Sequence, residues 1–171
     1  MDLSHLTKVV KYEITKDGFI FYDENGNIPD PSNSYWDGYL DLYGYKGKSL
    51  KGLPNVVNGW LSLACYKGKS LKGLPSVVDG SLWLYNHKGE SLEGLPSVVN
   101  GVLDLYNYNG ESLKGLPNIL NERLYLNSYK GNNYHNLPKE YREIYIKGQW
   151  HTKAEFDNFW KTEKLKKALL D

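Results

Sequence analysis

The sequence predicts a mainly β fold: a right-handed solenoid of about five 21-residue coils with one parallel sheet of short strands, an N-terminal β-hairpin cap and a C-terminal helical cap. Three observations predict it. One 21-residue sentence is written four times in succession: SLKGLPNVVNGWLSLACYKGK from Ser49, SLKGLPSVVDGSLWLYNHKGE from Ser70, SLEGLPSVVNGVLDLYNYNGE from Ser91 and SLKGLPNILNERLYLNSYKGN from Ser112. A fixed short period marks an architecture in which each repeat forms one coil stacked on the last. Each copy also holds an x-Leu-x-Leu-x stretch, whose alternation is that of a strand with one buried face. Finally, Gly and Pro punctuate the other half of every copy, which excludes a long helix and leaves extended or 3-10 segments for the back wall.

Residues 1–36 are expected to cap the first coil. Val9–Ile14 and Phe19–Tyr22 alternate on either side of Asp17-Gly18, a hairpin turn pair. Asp23-Glu24-Asn25-Gly26-Asn27 opens like a calcium loop. The positions that such a loop fills with Gly and Glu are Ile28 and Ser34, so a plain turn is expected.

Residues 37–148 form the coils. The inward strand leucines are Leu40/Leu42, Leu61/Leu63, Leu82/Leu84, Leu103/Leu105 and Leu124/Leu126. Leu50, Leu71, Leu92 and Leu113 are expected inside as well, with Leu53, Leu74, Leu95, Leu116 and Leu137. The Val-Val pairs at 56–57, 77–78 and 98–99 form the opposite wall, one Val of each pair pointing in. Gly47, Gly68, Gly89, Gly110 and Gly131 follow a Tyr-Lys corner where a positive φ is expected. Leu-Pro fixes an extended corner. Asn58-Gly59, Asp79-Gly80 and Asn100-Gly101 read as turn dipeptides just before each strand. Ser49, Ser70, Ser91 and Ser112 share one column and are expected to bond backbone at a buried corner. They are not read as nucleophiles, because no His accompanies them from coil to coil.

After Leu137-Pro138 the repeat loses one residue, and Ile144 and Ile146 take over the inward positions. Residues 149–171 are expected to cap the last coil. Thr152-x-x-Glu155 is a capping box that starts a helix over 152–170. Phe156, Phe159, Trp160, Leu165 and Leu169 give it an apolar side, and Lys164, Lys166 and Lys167 suit the negative end of its dipole. The open coil end needs that apolar side, so a membrane-surface role for this helix is set aside. The whole is expected to be a single domain.

Bulk properties narrow the function. The chain has 171 residues and a formal net charge of +1, so it is neither a bulk polyanion binder nor an acidic mimic of DNA. No apolar run is long enough for a membrane span, and the N-terminus is too polar for a signal peptide. Cys65 is the only cysteine, so no intrachain disulfide forms. A cytoplasmic monomer without cofactor or metal is expected. The abundance of Lys, Asn and Tyr hints at an AT-rich genome, bacterial or phage.

Catalysis finds little support. His5, His87, His135 and His151 share no metal-ligand spacing. Asp41 and Asp104 point outward three coils apart, roughly 14 Å at a spacing of about 4.8 Å per coil. Glycosidase carboxyl pairs lie about 5–9.5 Å apart. No glycine loop suits a phosphate, since the glycines serve corners. A non-catalytic protein is expected.

The succession of Leu-Pro, x-Leu-x-Leu and Ser-Leu-x-Gly-Leu-Pro over residues 37–148 resembles leucine-rich repeats, especially the short bacterial type with a Leu-Pro step. One column departs. Leucine-rich repeats place Asn or Cys three residues after the second strand leucine, and here that column is Tyr45, Tyr66, His87, Tyr108 and Tyr129. Asn86 and Asn107 lie one position earlier. The corner is therefore expected to be built differently, with a straighter β-solenoid as the alternative to a curved horseshoe. What the resemblance implies is protein–protein recognition through the sheet face.

The outward strand positions form a grid: Tyr39, Asp41, Tyr43; Trp60, Ser62, Ala64; Ser81, Trp83, Tyr85; Val102, Asp104, Tyr106; Arg123, Tyr125, Asn127. Trp and Tyr are the types most enriched in binding hot spots, and a contiguous exposed aromatic patch marks an interaction site. The candidate partner-binding residues are Tyr39, Asp41, Tyr43, Trp60, Trp83, Tyr85, Asp104, Tyr106 and Tyr125. A second candidate feature is the turn edge Lys46, Lys48, Lys67, Lys69 and Lys88, which suits electrostatic docking. From Leu42 to Val78 the chain holds six Lys and no acid, whereas from Asp79 to Glu122 it holds two Lys and six acids. The expected partner is another protein, recognised or inhibited by a small solenoid that covers a functional surface. A phage counter-defence protein, such as an anti-CRISPR inhibitor, is one concrete version. Two alternatives are carbohydrate binding by the aromatic rows and single-stranded nucleic-acid binding by the Lys edge, which Glu90 and Glu93 interrupt.

Overall fold

The computed structural model describes residues 1–131 and 133–168, with helix side chains described through Thr162. In chain order the strands are β1 (Thr7–Thr15), β2 (Gly18–Asp23), β3 (Ser34–Asp37), β4 (Leu40–Asp41), β5 (Val56–Asn58), β6 (Leu61–Ser62), β7 (Val77–Val78), β8 (Leu82–Trp83), β9 (Val98–Val99), β10 (Leu103–Asp104), β11 (Ile119–Leu120), β12 (Arg123–Tyr125), β13 (Glu143–Ile146) and β14 (Gln149–Thr152). Helix α1 (Lys153–Ala168) follows. They build a β-solenoid of about five turns between an antiparallel hairpin and the helix.

Two sheets run along the stack, where the repeat pattern alone announces one. The leucine strands β4, β6, β8, β10, β12 and β13 pair in parallel, with Leu40, Leu61, Leu82, Leu103 and Leu124 in one register column. The Val-Val segments β5, β7, β9 and β11 form a second parallel ladder, which β3 continues into the hairpin. A β-branched extended segment repeated at an identical height in every coil meets its own copy above and below. Its backbone groups therefore pair along the stack. Alternation then buries Val57, Val78, Val99 and Leu120 completely and leaves Val77 and Val98 half-buried and Ile119 exposed. Between the sheets lie the leucines of both walls, most of them at 0–1% exposure, whereas Leu74, Leu95, Leu116 and Leu137 of the Leu-Pro steps, expected inside, are only half-buried against the core.

The corners correct three expectations. Gly47, Gly68, Gly89, Gly110 and Gly131 do not take a positive φ; Gly44, Cys65, Asn86 and Asn107 do, at 61–66°. The left-handed residue thus precedes the inner aromatic. Asn tolerates that conformation, and Asn107 Nδ2 donates to Asn86 Oδ1 at 2.8 Å to knit the corner. The later glycines are required for space. At Gly68 or Gly110 a Cβ would overlap the hydroxyl end of Tyr66 or Tyr108, which folds back over it.

Asn58-Gly59 and its copies are not reversing turns but the stacked corner that joins the two sheets. Asn58 Nδ2 donates to Asp37 Oδ1 at 2.8 Å, Asn100 Nδ2 to Asp79, and Asn121 Nδ2 to Asn100 Oδ1 at 2.8 Å. The serine column bonds backbone as expected, but Ser70, Ser91 and Ser112 are exposed. Their hydroxyls accept the N–H of Lys72, Glu93 and Lys114 at 3.0–3.2 Å, which makes a local turn on the solvent edge.

The inner column is built of aromatic rings. Tyr45 and Tyr66 stack at 5.9 Å with a 9° interplanar angle, and Tyr66 and His87 at 6.2 Å and 5°. Tyr45, Tyr108 and Tyr129 each donate the hydroxyl to the carbonyl four residues on, Ser49, Ser112 and Asn133, at 2.8–3.0 Å. The buried ladder thus satisfies a corner carbonyl at three of its five positions, whereas the Tyr66 hydroxyl and both His87 ring nitrogens have no hydrogen-bond partner among the described residues.

Both ends are covered. Phe19 and Phe21 of the hairpin are buried, and the Phe19 ring sits 4.7 Å from Tyr45. At the other end Ile144 and Ile146 are buried as expected. Lys147 and Gly148, at φ 51° and 79°, then make a two-residue turn into β14. The capping box forms: Thr152 N–H donates to Glu155 Oε2 at 2.8 Å and Glu155 N–H to Thr152 Oγ1 at 3.3 Å. Phe156 is buried, and Phe156 and Trp160 meet Tyr134 edge-on at 5.2 and 4.6 Å. The contacts expected of Leu165, Leu169, Lys164, Lys166 and Lys167 lie outside the described side chains. Thr152→Ala removes the first partner of this box and is expected to cost about 1 kcal/mol, read as a lower urea midpoint at unchanged slope. Among the described residues no helix is long and apolar enough to cross a membrane.

Candidate functional site: the aromatic sheet face

The leucine sheet presents its alternate residues outward because both leucines of each strand are committed to the core. Within this face the structure brings Trp60 and Trp83 together. They stand in different columns one coil apart, with ring centroids 5.4 Å apart and planes tilted by 58°. Tyr39 completes the cluster, 6.3 Å from Trp60 and 5.9 Å from Trp83, both edge-on. Tyr43 and Tyr85 approach to 6.4 Å across the row of Ala64. The small residues Ser62 and Ala64 are buried although they point outward. Large rings lean over this small-residue row, so the grid is a packed aromatic layer rather than a set of separate columns. It remains accessible: Trp60 is 52% exposed and Tyr43 61%. Tyr39 and Tyr106 are exposed as well, while Trp83, Tyr85, Asp104 and Tyr125 are half-buried.

A second cluster lies at the far end. Tyr125, Tyr145 and Trp150 are in mutual contact at 4.9–6.0 Å. The Arg123 guanidinium lies 5.3 Å from the Trp150 ring, and its Nε donates to Glu143 at 2.7 Å. Tyr145 and Trp150 are absent from the sequence-derived grid. Trp150 reaches the face through the reversal at Lys147-Gly148, which pairs it with Tyr145 in β14. The signal was a Lys-Gly pair between two alternating runs.

Asp41 and Asp104 stay in separate rows of the register, as their three-coil spacing requires. One carboxylate oxygen of each accepts the N–H two residues on, from Tyr43 at 2.9 Å and Tyr106 at 2.8 Å. Neither has an ion pair among the described residues. Burial pushes the Asp104 carboxyl above its ordinary pKa, only partly offset by the Tyr106 N–H. Burial likewise raises the Tyr85 hydroxyl, with smaller contributions from Tyr43, Cys65 and both aspartates.

Lys46, Lys48, Lys67, Lys69 and Lys88 are all exposed along the turn edge, and none takes part in an ion pair among the described residues. Two coils on, the edge changes character: Lys114 bridges to Glu93 at 2.7 Å and holds that carboxyl below its usual range. Among the described residues no group of three or more His, Cys, Asp or Glu could hold a metal ion.

These features define a parallel β-solenoid with an aromatic sheet face and a basic edge. The chain matches no protein-family model, no curated protein and no solved structure.

Proposed function

We propose that this protein is a non-catalytic binding module that grips another protein with the aromatic face of its leucine sheet, and that it acts by covering a functional surface of that target. The observation that carries the reading is the contiguous Tyr39–Trp60–Trp83 cluster, with Tyr39 and Trp60 exposed and Trp83 half-buried on the stacked parallel strands of the leucine sheet. Rigid aromatic anchors lose little entropy on binding and dominate interface energetics. Their mutual tilts of 58–76° make a knobbed surface suited to side chains, not the coplanar row that would suit successive sugar rings. The Lys edge supplies orientation and speed of docking to an acidic border on the partner.

The repeat is best read as a leucine-rich type in which a tyrosine ladder replaces the asparagine ladder. The Leu-Pro step and paired inward leucines support this, and the resemblance favours the same sheet face for recognition. Counter-defence inhibition by a phage protein is one setting for such an activity.

Trp60→Ala combined with Trp83→Ala is expected to abolish capture of the partner from the native cell while leaving the circular dichroism spectrum unchanged. Both side chains sit on the outward face, so their loss spares the leucine core. Undiminished capture of the partner by this variant would refute the reading.

A further inference from the structure

The far end of the sheet face already holds a cation. Arg123 lies over Trp150, donates to Glu143, and stands beside the Tyr125–Tyr145 pair. An aromatic wall and a carboxylate closed on a guanidinium is a favourable combination, because the guanidinium is planar, weakly hydrated and able to stack while it hydrogen-bonds.

The near half of the face repeats this composition without the cation. Tyr39, Trp60, Trp83 and Tyr85 provide the wall, and Asp41 and Asp104 the carboxylates. In the strand register Asp104 lies directly between Trp83 and Tyr125. The outward positions of the first four rows, from Tyr39 to Tyr106, contain two carboxylates and no Lys, Arg or His. Arg123, one row beyond Asp104, is engaged by Glu143 and Trp150. A half-buried carboxylate without a counter-charge is stabilised by any cation that reaches it, so this half of the face is complementary to positive charge.

We propose that the protein partner presents an arginine to the near half of the face, its guanidinium stacked on the Trp60–Trp83 pair and paired with the Asp104 carboxylate. Asp41 adds to the attracting field, and Arg123 with Trp150 and Glu143 is the molecule's own version of the contact. This inference rests on the protein-binding role proposed above and names the chemistry of the partner.

The test uses the full chain and N-acetyl-arginine amide as probe, with the neutral isostere N-acetyl-citrulline amide as control. Indole N–H signals are followed by NMR at low salt. The arginine amide is expected to shift the Trp60 and Trp83 signals saturably and to leave Trp150 in place. The citrulline amide should bind at least about tenfold more weakly, and so should the arginine amide to the Asp41→Asn, Asp104→Asn variant. Asn keeps the oxygen that accepts the Tyr106 N–H, so the fold is retained. Equal response to the two probes, no response to either, or an unchanged affinity in the double Asn variant overturns the proposal. If the partner is lost by the Trp60/Trp83 variant but kept by the double Asn variant, the protein-binding role stands and the arginine falls. If the Trp60/Trp83 variant keeps its partner, the protein-binding role itself falls.

Discussion

Lowering the pH from about 6.5 to about 4 is expected to cost this protein about 3 kcal/mol through a single side chain, His87. His87 is 0% exposed, and neither ring nitrogen has a hydrogen-bond partner among the described residues. Burial lowers its pKa from 6.5 to about 4. Above 6.5 both folded and unfolded chains hold it neutral, so it has no effect. Between 6.5 and 4 the unfolded chain takes up the proton and the folded chain does not, so stability falls as the pH falls. Below 4 both forms are protonated and the loss levels off. Asp104 works in the opposite direction: its carboxyl is raised by burial, so protonation on acidification relieves a folded-state cost.

The control is His87→Tyr. Tyrosine is the residue of this column in the other coils, and in three of those four its hydroxyl reaches the carbonyl four residues on. Urea midpoints measured from pH 7 to 4 should fall more steeply in the parent than in the Tyr variant, in which only the carboxyls held below their usual range, such as Glu93, contribute to the fall. Identical slopes would show that His87 does not titrate across folding.

Leu82→Ala is expected to cost about 2–5 kcal/mol, the usual loss for a fully enclosed leucine. Its position makes the loss more disruptive than the figure suggests. Leu82 sits in the middle of its register column, between Leu61 and Leu103, and each coil of a solenoid contacts only its neighbours. A cavity there weakens both interfaces of the central coil and uncouples the two halves. Unfolding followed by tryptophan fluorescence and by far-UV circular dichroism should cease to coincide. Val77→Ala in the same coil removes a half-buried side chain from the opposite wall and should cost about 1 kcal/mol or less with coincident transitions. Equal effects of the two substitutions would contradict the burial pattern.

The period and alternation of the chain were sufficient to place the inward leucines, the hairpin, the capping box and the outward identity of Trp60 and Trp83. These are local matters, set by direction along one strand or by one turn. The second sheet, the role of the Tyr-Lys glycines and the arrival of Trp150 were not readable in that way. A Val-Val pair has no partner until the next coil is laid on it. Gly68 tolerates no side chain because of where the Tyr66 ring goes, not because of its own φ.

The sequence by itself therefore determined that this is a capped solenoid with a leucine core and an aromatic outer row. Only the tertiary structure decided that Trp60 and Trp83 meet, that Ser62 and Ala64 vanish beneath neighbouring rings, and that Arg123 is ion-paired while Asp104 has no ion pair among the described residues. The physical reason is distance. Residues 21 positions apart become neighbours only when coils stack, and which way a large ring leans depends on the small residue that the next coil places beside it.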